Sequence, residues 1–284
     1  MEKGVIIATI EVAPNIFKMI IGADDIAKRI KAGQFIILMA TERGERIPLT
    51  VAESDSCQGT ITIFVQRAGK STCELADMCE YSKLYSLSGP NGRASEIEKT
   101  EGSVVFVCGG VGTAVMYPVL KANKEFGNKV IAIMGVKNKE LLILRDEIEK
   151  ISDQTIICTD DGSAGAKGFT TDILGEFIKS GMKISKVIVA GPPIMMKLVA
   201  EITRKYAIPT VASLVTIMID GTGMCGGCRV EINGGSKFVC CDGPEFDAHQ
   251  VNWGDLLLRQ RIYTGEEKIS LERYKEERRC YGQG

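Results

Sequence analysis

The chain has 284 residues, 45% hydrophobic and 25% charged, with a formal net charge of −1. That length implies two domains or slightly more, each with a real core, and the near-neutral charge gives no basis for nucleic-acid binding. Ten cysteines are too sparse for a disulfide scaffold, and a single histidine, His249, leaves little room for His-based acid–base or zinc catalysis, so hydride or one-electron chemistry carried by cofactors fits better.

The N-terminus MEKGVIIATIEVAP enters a strand-like pattern at once, without the layout of a signal peptide. No apolar run approaches the roughly 18 residues of a membrane span. The expected location is a reducing cytoplasm, where clustered cysteines mean metal or redox work. Residues 1–98 read as short β-strands: Val5–Ala13, Phe17–Gly22, Gln34–Ala40, Ile47–Ala52 and Thr60–Arg67, all rich in Val, Ile, Phe and Thr. Helical signal is confined to Asp24–Ala32 and Ser71–Cys79, so this part is expected to be a small barrel or sandwich. Arg46-Ile47-Pro48-Leu49-Thr50 sets a cation beside a proline-stiffened strand. Gly69-Lys70-Ser71-Thr72 opens a helical stretch, where backbone amides favour a phosphate. Alone, the first also reads as a solvated edge and the second as an ordinary cap. The second is no P-loop, because Phe64 stands where its first glycine belongs.

From residue 99 to 218 the pattern becomes strand–helix alternation, the mark of a parallel sheet covered on both faces. Val104–Cys108 is a continuous apolar strand, followed by Gly109-Gly110-Val111-Gly112-Thr113-Ala114 and a helical run to Phe126. Strands are expected at Lys129–Gly135, Thr155–Thr159, Lys186–Ala190 and Thr210–Met218, and helices at Glu140–Ile151, Thr170–Ser180 and Pro193–Tyr206. Glycines at the carboxyl end of the first strand let a pyrophosphate approach the helix N-terminus, although Val111 departs from the usual G-x-G-x-x-G fingerprint. Asp160 and Asp161 follow one strand, and Gly191 and Pro192 another, on the side where such sheets bind ligands. The two acids favour NAD(H) by accepting from a free ribose 2′-hydroxyl, while Lys137 and Lys139 pull toward NADP(H). Cys108, next to Gly109, either faces the nicotinamide or is an inert buried thiol.

Residues 219–284 contain the densest chemistry. In DGTGMCGGCRVEINGGSKFVCCDG, Cys225 and Cys228 form a C-x2-C pair, Asp220 lies four residues before it, and Cys240 follows after eleven. This is the plant-type [2Fe–2S] spacing with aspartate in place of the first cysteine. Zinc remains an alternative, although zinc ribbons more often use two C-x2-C pairs. The adjacent Cys240 and Cys241 leave open which one ligates, and in an alternative Cys241 is the fourth ligand and Asp220 only caps a turn. Beyond Gly243 the tail is helical and charged. Trp253, Leu256, Leu257 and Leu258 form an apolar stripe, and Lys268, Arg273, Lys275, Arg278 and Arg279 a basic one. It reads as a surface helix packed on its own domain, or else one that embraces a partner.

The ordered set RIPLT, GKST, CGGVGTA, TDDGS, AGPPIMM and a cysteine loop ending CCDGPEFDA resembles the ferredoxin–NADP reductase-like FAD/NAD/[2Fe–2S] electron-transfer subunits, over essentially the whole chain. Members include the electron-transfer subunit of dihydroorotate dehydrogenase and the small subunit of NADH-dependent reduced ferredoxin:NADP oxidoreductase. Asp220 and the long tail point to the second. The resemblance implies a fold of β-barrel plus α/β: an antiparallel FAD-binding barrel, a parallel-sheet NAD-binding domain and a small C-terminal [2Fe–2S] domain. It implies that Arg46 meets the flavin pyrophosphate and Thr50 lies by the flavin ring, with Pro48 and Leu49 in the same motif. Gly69, Lys70, Ser71 and Thr72 would form the second phosphate loop, and Gly109, Gly110, Gly112 and Thr113 the nicotinamide-nucleotide loop. Asp220, Cys225, Cys228 and Cys240 would ligate the cluster. The implied partner is a larger flavin/iron–sulfur subunit in a heterodimer, through which ferredoxin and NADP(H) react and to which any bifurcation would belong. The rival outside this class is a zinc-stabilised nucleotide-binding regulator.

Overall fold

A computed structural model describes residues 2–281, and the side chains of Arg279, Cys280 and Tyr281 fall outside that description. The first part carries β1 (Ile6–Ala13), β2 (Ile16–Gly22), α1 (Asp24–Ala27), β3 (Phe35–Met39), β4 (Ile47–Thr50), β5 (Glu53–Asp55), β6 (Thr60–Gln66), α2 (Lys70–Ala76) and β7 (Ser86–Asn91). They form two antiparallel sheets, ordered β1-β2-β6-β5 and β4-β3-β7, wrapped around one core. Ile61, Ile63 and Val65 of β6 point into that core with Ile6, Met19, Ile21, Ile36 and Leu38. Phe64, on the opposite face, is buried too, because it packs with Ile16 and Ala52 against Tyr117 and Leu120 of the next part. Pro48 sits in β4 because β4 is a sheet edge, where a missing N–H costs no ladder bond.

The second part alternates β8 (Ser103–Gly109), α3 (Gly112–Glu125), β9 (Lys129–Val136), α4 (Arg145–Ile151), β10 (Gln154–Thr159), β11 (Ala166–Lys167), α5 (Thr170–Lys179), β12 (Ile184–Ala190), α6 (Pro193–Lys205) and β13 (Thr210–Ser213). The strands run parallel in the order β11-β10-β9-β8-β12-β13. Their unbroken apolar runs follow from burial on both faces. Val105, Val107, Ile131 and Ile133 meet one layer, and Val104, Phe106, Val130, Ala132 and Met134 the other. The expected helix over Glu140–Ile151 is broken. A single 3-10 turn at Lys139–Leu141 gives way to extended backbone, and α4 starts only at Arg145. Ile143 and Leu144 are buried there, and Leu144 holds φ +54.

The last part contains β14 (Arg229–Ile232) and β15 (Gly235–Phe238), which pair as a hairpin, then α7 (Val239–Asp242), β16 (Glu245–Asp247), α8 (Trp253–Arg259) and α9 (Thr264–Tyr281). β16 joins the large sheet as its seventh strand, antiparallel to β13. The strand expected over Thr210–Met218 therefore stops at Ser213, where that pairing ends and Leu214 N donates to the Pro244 carbonyl. The helical tail is likewise two helices, separated at residues 260–263. Among the described residues no helix is long and apolar enough to cross a membrane.

Candidate functional site

Residues 214–228 form no strand or helix; Leu214, Met218 and Cys228 anchor them in the core, and polar contacts shape the turn between. Asp220 accepts from Thr222 N through Oδ1 and from Cys225 N through Oδ2, each at 2.9 Å. These donors, Thr222 first, hold the carboxyl below its usual range and keep it ionised. Cys228 Sγ and Cys240 Sγ stand 3.2 Å apart in the interior, with Cys240 N 3.5 Å from the Cys228 sulfur. Burial raises the Cys240 thiol above its ordinary value, so metal binding there must release a proton. Two thiolates on one tetrahedral metal, at metal–sulfur distances of about 2.3 Å, are about 3.7 Å apart, so this pair needs only a small opening. Among the described residues no three His, Cys, Asp or Glu side chains surround a common metal position. Of the four residues expected to be ligands, Cys228 and Cys240 are brought together by their sulfurs, while Asp220 meets Cys225 through its backbone amide. Cys241 Sγ, exposed, lies 3.6 Å from Cys240 Sγ and 3.9 Å from the Gly221 carbonyl.

The loop is seated on the barrel. Gly221 has φ +77, which favours glycine, and a Cβ there would lie 2.3 Å from Ile37 Cδ1, so any larger residue would have to displace the end of that side chain. Ile37, in β3, is the register partner of Pro48 in β4. Arg93, just past β7, donates from its backbone to the Gly243 carbonyl at 2.7 Å and from Nε to the Cys241 carbonyl at 3.3 Å. The cysteine loop thus sits on β3, the strand that pairs with the one expected to meet the flavin.

On β4, Pro48, Leu49 and Thr50 are half-buried, and Arg46 is exposed at the strand's start. The second loop of the barrel meets the first through Ser71, whose hydroxyl donates to Glu45 Oε2 at 3.1 Å. Thr72 Oγ1 closes the Gly69 turn by accepting from Ala68 N and Gly69 N, both at 3.0 Å. Lys70 Nζ lies 3.6 Å from Glu74, one turn along α2.

In the parallel sheet, β8 lies between β9 and β12, so the chain leaves β8 at the switch point where such sheets open a ligand crevice. Gly110 N donates to the Gly135 carbonyl at 2.9 Å, and α3 begins at Gly112 with no side-chain cap. A Cβ on Gly112 would lie 2.4 Å from the Ala190 carbonyl oxygen, which brings Gly109–Thr113 against Gly191 and Pro192 backbone to backbone. Asp160 and Asp161 are exposed two strands away, at the carboxyl end of β10. Asp161 Oδ1 accepts from Ser163 N at 2.9 Å, and Ser163, hydroxyl first, holds that carboxyl below its usual range. A groove of about 500 Å³ opens beside them, lined by Lys139, Leu142, Leu144, Arg145 and Ser163 among others. Cys108 is wholly buried and its thiol is pushed up to about 12, the inert alternative of the two considered. Glu45, Ile37 and Arg93 carry no local signature of their parts here, because each acts on a segment distant in sequence.

Comparison with known proteins places these features in a family. Residues 216–252 match the iron–sulfur cluster binding domain of dihydroorotate dehydrogenase B, and residues 106–201 match the oxidoreductase NAD-binding domain. The chain is 42% identical over 269 residues to a dihydroorotate dehydrogenase B (NAD+) electron transfer subunit homolog of Thermotoga maritima, covering 95% of this chain and 94% of the relative. It is 36% identical over 263 residues to a probable electron transfer subunit of the same enzyme from Methanocaldococcus jannaschii, covering 90% and 92%. A chain from the solved structure of NADH-dependent reduced ferredoxin–NADP oxidoreductase, studied for flavin-based electron bifurcation, superposes with a TM-score of 0.91 at 40% identity, covering 96% of this chain and 98% of that one. On the strength of these end-to-end matches, the chain belongs to the family of dihydroorotate dehydrogenase B-type electron-transfer subunits, flavin and iron–sulfur oxidoreductase components with a reductase-like barrel and an NAD-binding sheet.

Proposed function

We propose that this subunit takes electrons from NADH and passes them to a larger flavin/iron–sulfur subunit, which in turn reacts with ferredoxin and NADP(H). When bound, FAD exchanges hydride with nicotinamide and single electrons with a [2Fe–2S] cluster, which is why both groups belong on one chain. Arg46 and the Gly69–Thr72 loop hold the flavin pyrophosphate, and Pro48, Leu49 and Thr50 orient the ring along β4. The turn carrying Gly109, Gly110, Gly112 and Thr113, at the N-terminus of α3, receives the nicotinamide pyrophosphate, Gly191 and Pro192 wall the crevice, and Asp160 and Asp161 select a free ribose hydroxyl. Asp220, Cys225, Cys228 and Cys240 would ligate the cluster. None of these side chains must move a proton during turnover, which agrees with a single histidine placed elsewhere.

The observation that supports this reading is the seat of Gly221 on Ile37, the register partner of Pro48, which puts the cysteine loop one strand from β4. Anaerobic addition of NADH to the purified protein is expected to bleach both the flavin and the cluster absorbance. A protein that holds flavin and iron but does not bleach overturns the assignment. The names of the Thermotoga and Methanocaldococcus relatives support a second reading, in which the partner is a dihydroorotate-oxidising subunit. The catalytic subunit that copurifies from the native cell separates the two.

A further inference from the structure

Helix α9 returns from the cluster end of the chain to the barrel. Tyr274 Oη donates to Asp77 Oδ2 at 2.8 Å, and Arg278 pairs with the same oxygen. Asp77 caps the C-terminus of α2, and its other oxygen is held by Arg67 at 2.5 Å. These contacts pin the far end of α2 to α9. Toward the start of α2, an open groove of about 380 Å³ lies between Lys70 on one side and Ile269, Ser270, Arg273 and Tyr274 on the other.

The face of α9 toward this groove is not one built only to pack on a neighbouring helix. Its lining residues recur at helical spacing from Glu266 to Glu277, yet only Ile269 among them is aliphatic. The others offer an aromatic ring, a guanidinium, a hydroxyl and two carboxylates. A planar base finds a stacking face in Tyr274 and Arg273 and an apolar wall in Ile269. Ribose hydroxyls find acceptors in the carboxylates and in Ser270. The volume lies in the range of small-ligand sites. Lys70 links the groove to the loop read above as holding the flavin pyrophosphate. A dinucleotide whose pyrophosphate were held at that loop would have its other half within reach of the groove beside Lys70.

Resting on that flavin reading, we propose that the groove between α2 and α9 seats the adenosine end of FAD, so that the C-terminal helix makes the subunit select FAD over FMN. The test uses full-length protein stripped of flavin and titrated separately with FAD and FMN, following flavin fluorescence. Ser270→Trp fills the groove, Arg273→Glu reverses its stacking cation, and Lys275→Glu makes the same charge change outside the lining. The first two are expected to weaken FAD at least tenfold while moving FMN less than twofold; Lys275→Glu moves neither. Parallel losses for FAD and FMN, or no loss for either, overturn the groove as the adenosine seat. Wild-type protein that binds FAD no more tightly than FMN overturns the groove alone. Wild-type protein that binds neither overturns the flavin reading itself, and the groove with it.

Discussion

The nucleotide crevice and the cysteine loop are both glycine-rich, and they are held together by opposite means. In the crevice every residue of Ser103–Gly109 is buried, and the approach of Gly112 to the Ala190 carbonyl is fixed by a seven-stranded sheet. Its shape exists before any ligand arrives. Between Met218 and Cys228, which are anchored in the core, residues 219–227 lack such support, and Met224 and Cys225 are exposed. There two carboxylate-to-amide bonds shape the turn, and on the function proposed above metal–ligand bonds would add the remaining cohesion. A substitution in the first region should therefore fail as folding, and one in the second as cofactor content.

Three substitutions probe that contrast in decreasing order of effect. Gly112→Val drives a side chain into the Ala190 carbonyl and should cost about 3 kcal/mol or more, read as a lowered thermal midpoint with loss of NADH binding. Retention of wild-type stability would show that the crevice yields more than its packing implies. Cys228→Ser should abolish cluster iron and sulfide while leaving NADH affinity unchanged, with a stability loss of about 1–2 kcal/mol from the buried thiol. Full iron content in this variant would remove Cys228 from the ligand set. Ile37→Val, at the seam between barrel and loop, should cost about 1 kcal/mol and shift the EPR signal of the cluster without reducing its amount. An unaltered signal would mean that the barrel does not shape the loop.

Much of this architecture was legible along the chain, because strand–helix alternation and the Asp220–Cys225–Cys228–Cys240 spacing are local signals. The misses were long-range. Glu140–Ile151 has helical composition throughout, but burial of Ile143 and Leu144 bends the backbone to φ +54 at Leu144 and overrides propensity. Val215, Ile217 and Met218 read as strand, but β16 offers partners only to Val211, Ala212 and Ser213. At the candidate site, residue types and order could be read from the chain, but not their neighbours. The contact of Gly221 with Ile37 and the bond from Tyr274 to Asp77 join positions whose spacing in the chain follows no period.

The smallest effect sharpens the comparison at the joint between its two regions, where the chain's one histidine lies. His249 Nε2 is 2.9 Å from Thr203 Oγ1 of α6, which also accepts from Thr210 Oγ1 at 2.7 Å, and Arg204 bonds the His249 carbonyl. Burial first, with Arg204 adding and Asp247 opposing, lowers the imidazole below its ordinary value of 6.5. The folded chain therefore binds this proton less tightly than the unfolded chain does. The stabilising contribution is fully present above pH 6.5 and is lost as pH falls through the lowered folded value. His249→Gln keeps a hydrogen-bonding side chain that does not titrate, so it should flatten the acid side of the stability profile at a cost under about 1 kcal/mol near neutrality. Denaturant unfolding of both proteins at pH 7.5 and pH 5.5 measures this directly. If the two lose the same stability between those conditions, the seam between the nucleotide sheet and the cysteine loop owes nothing to the state of His249.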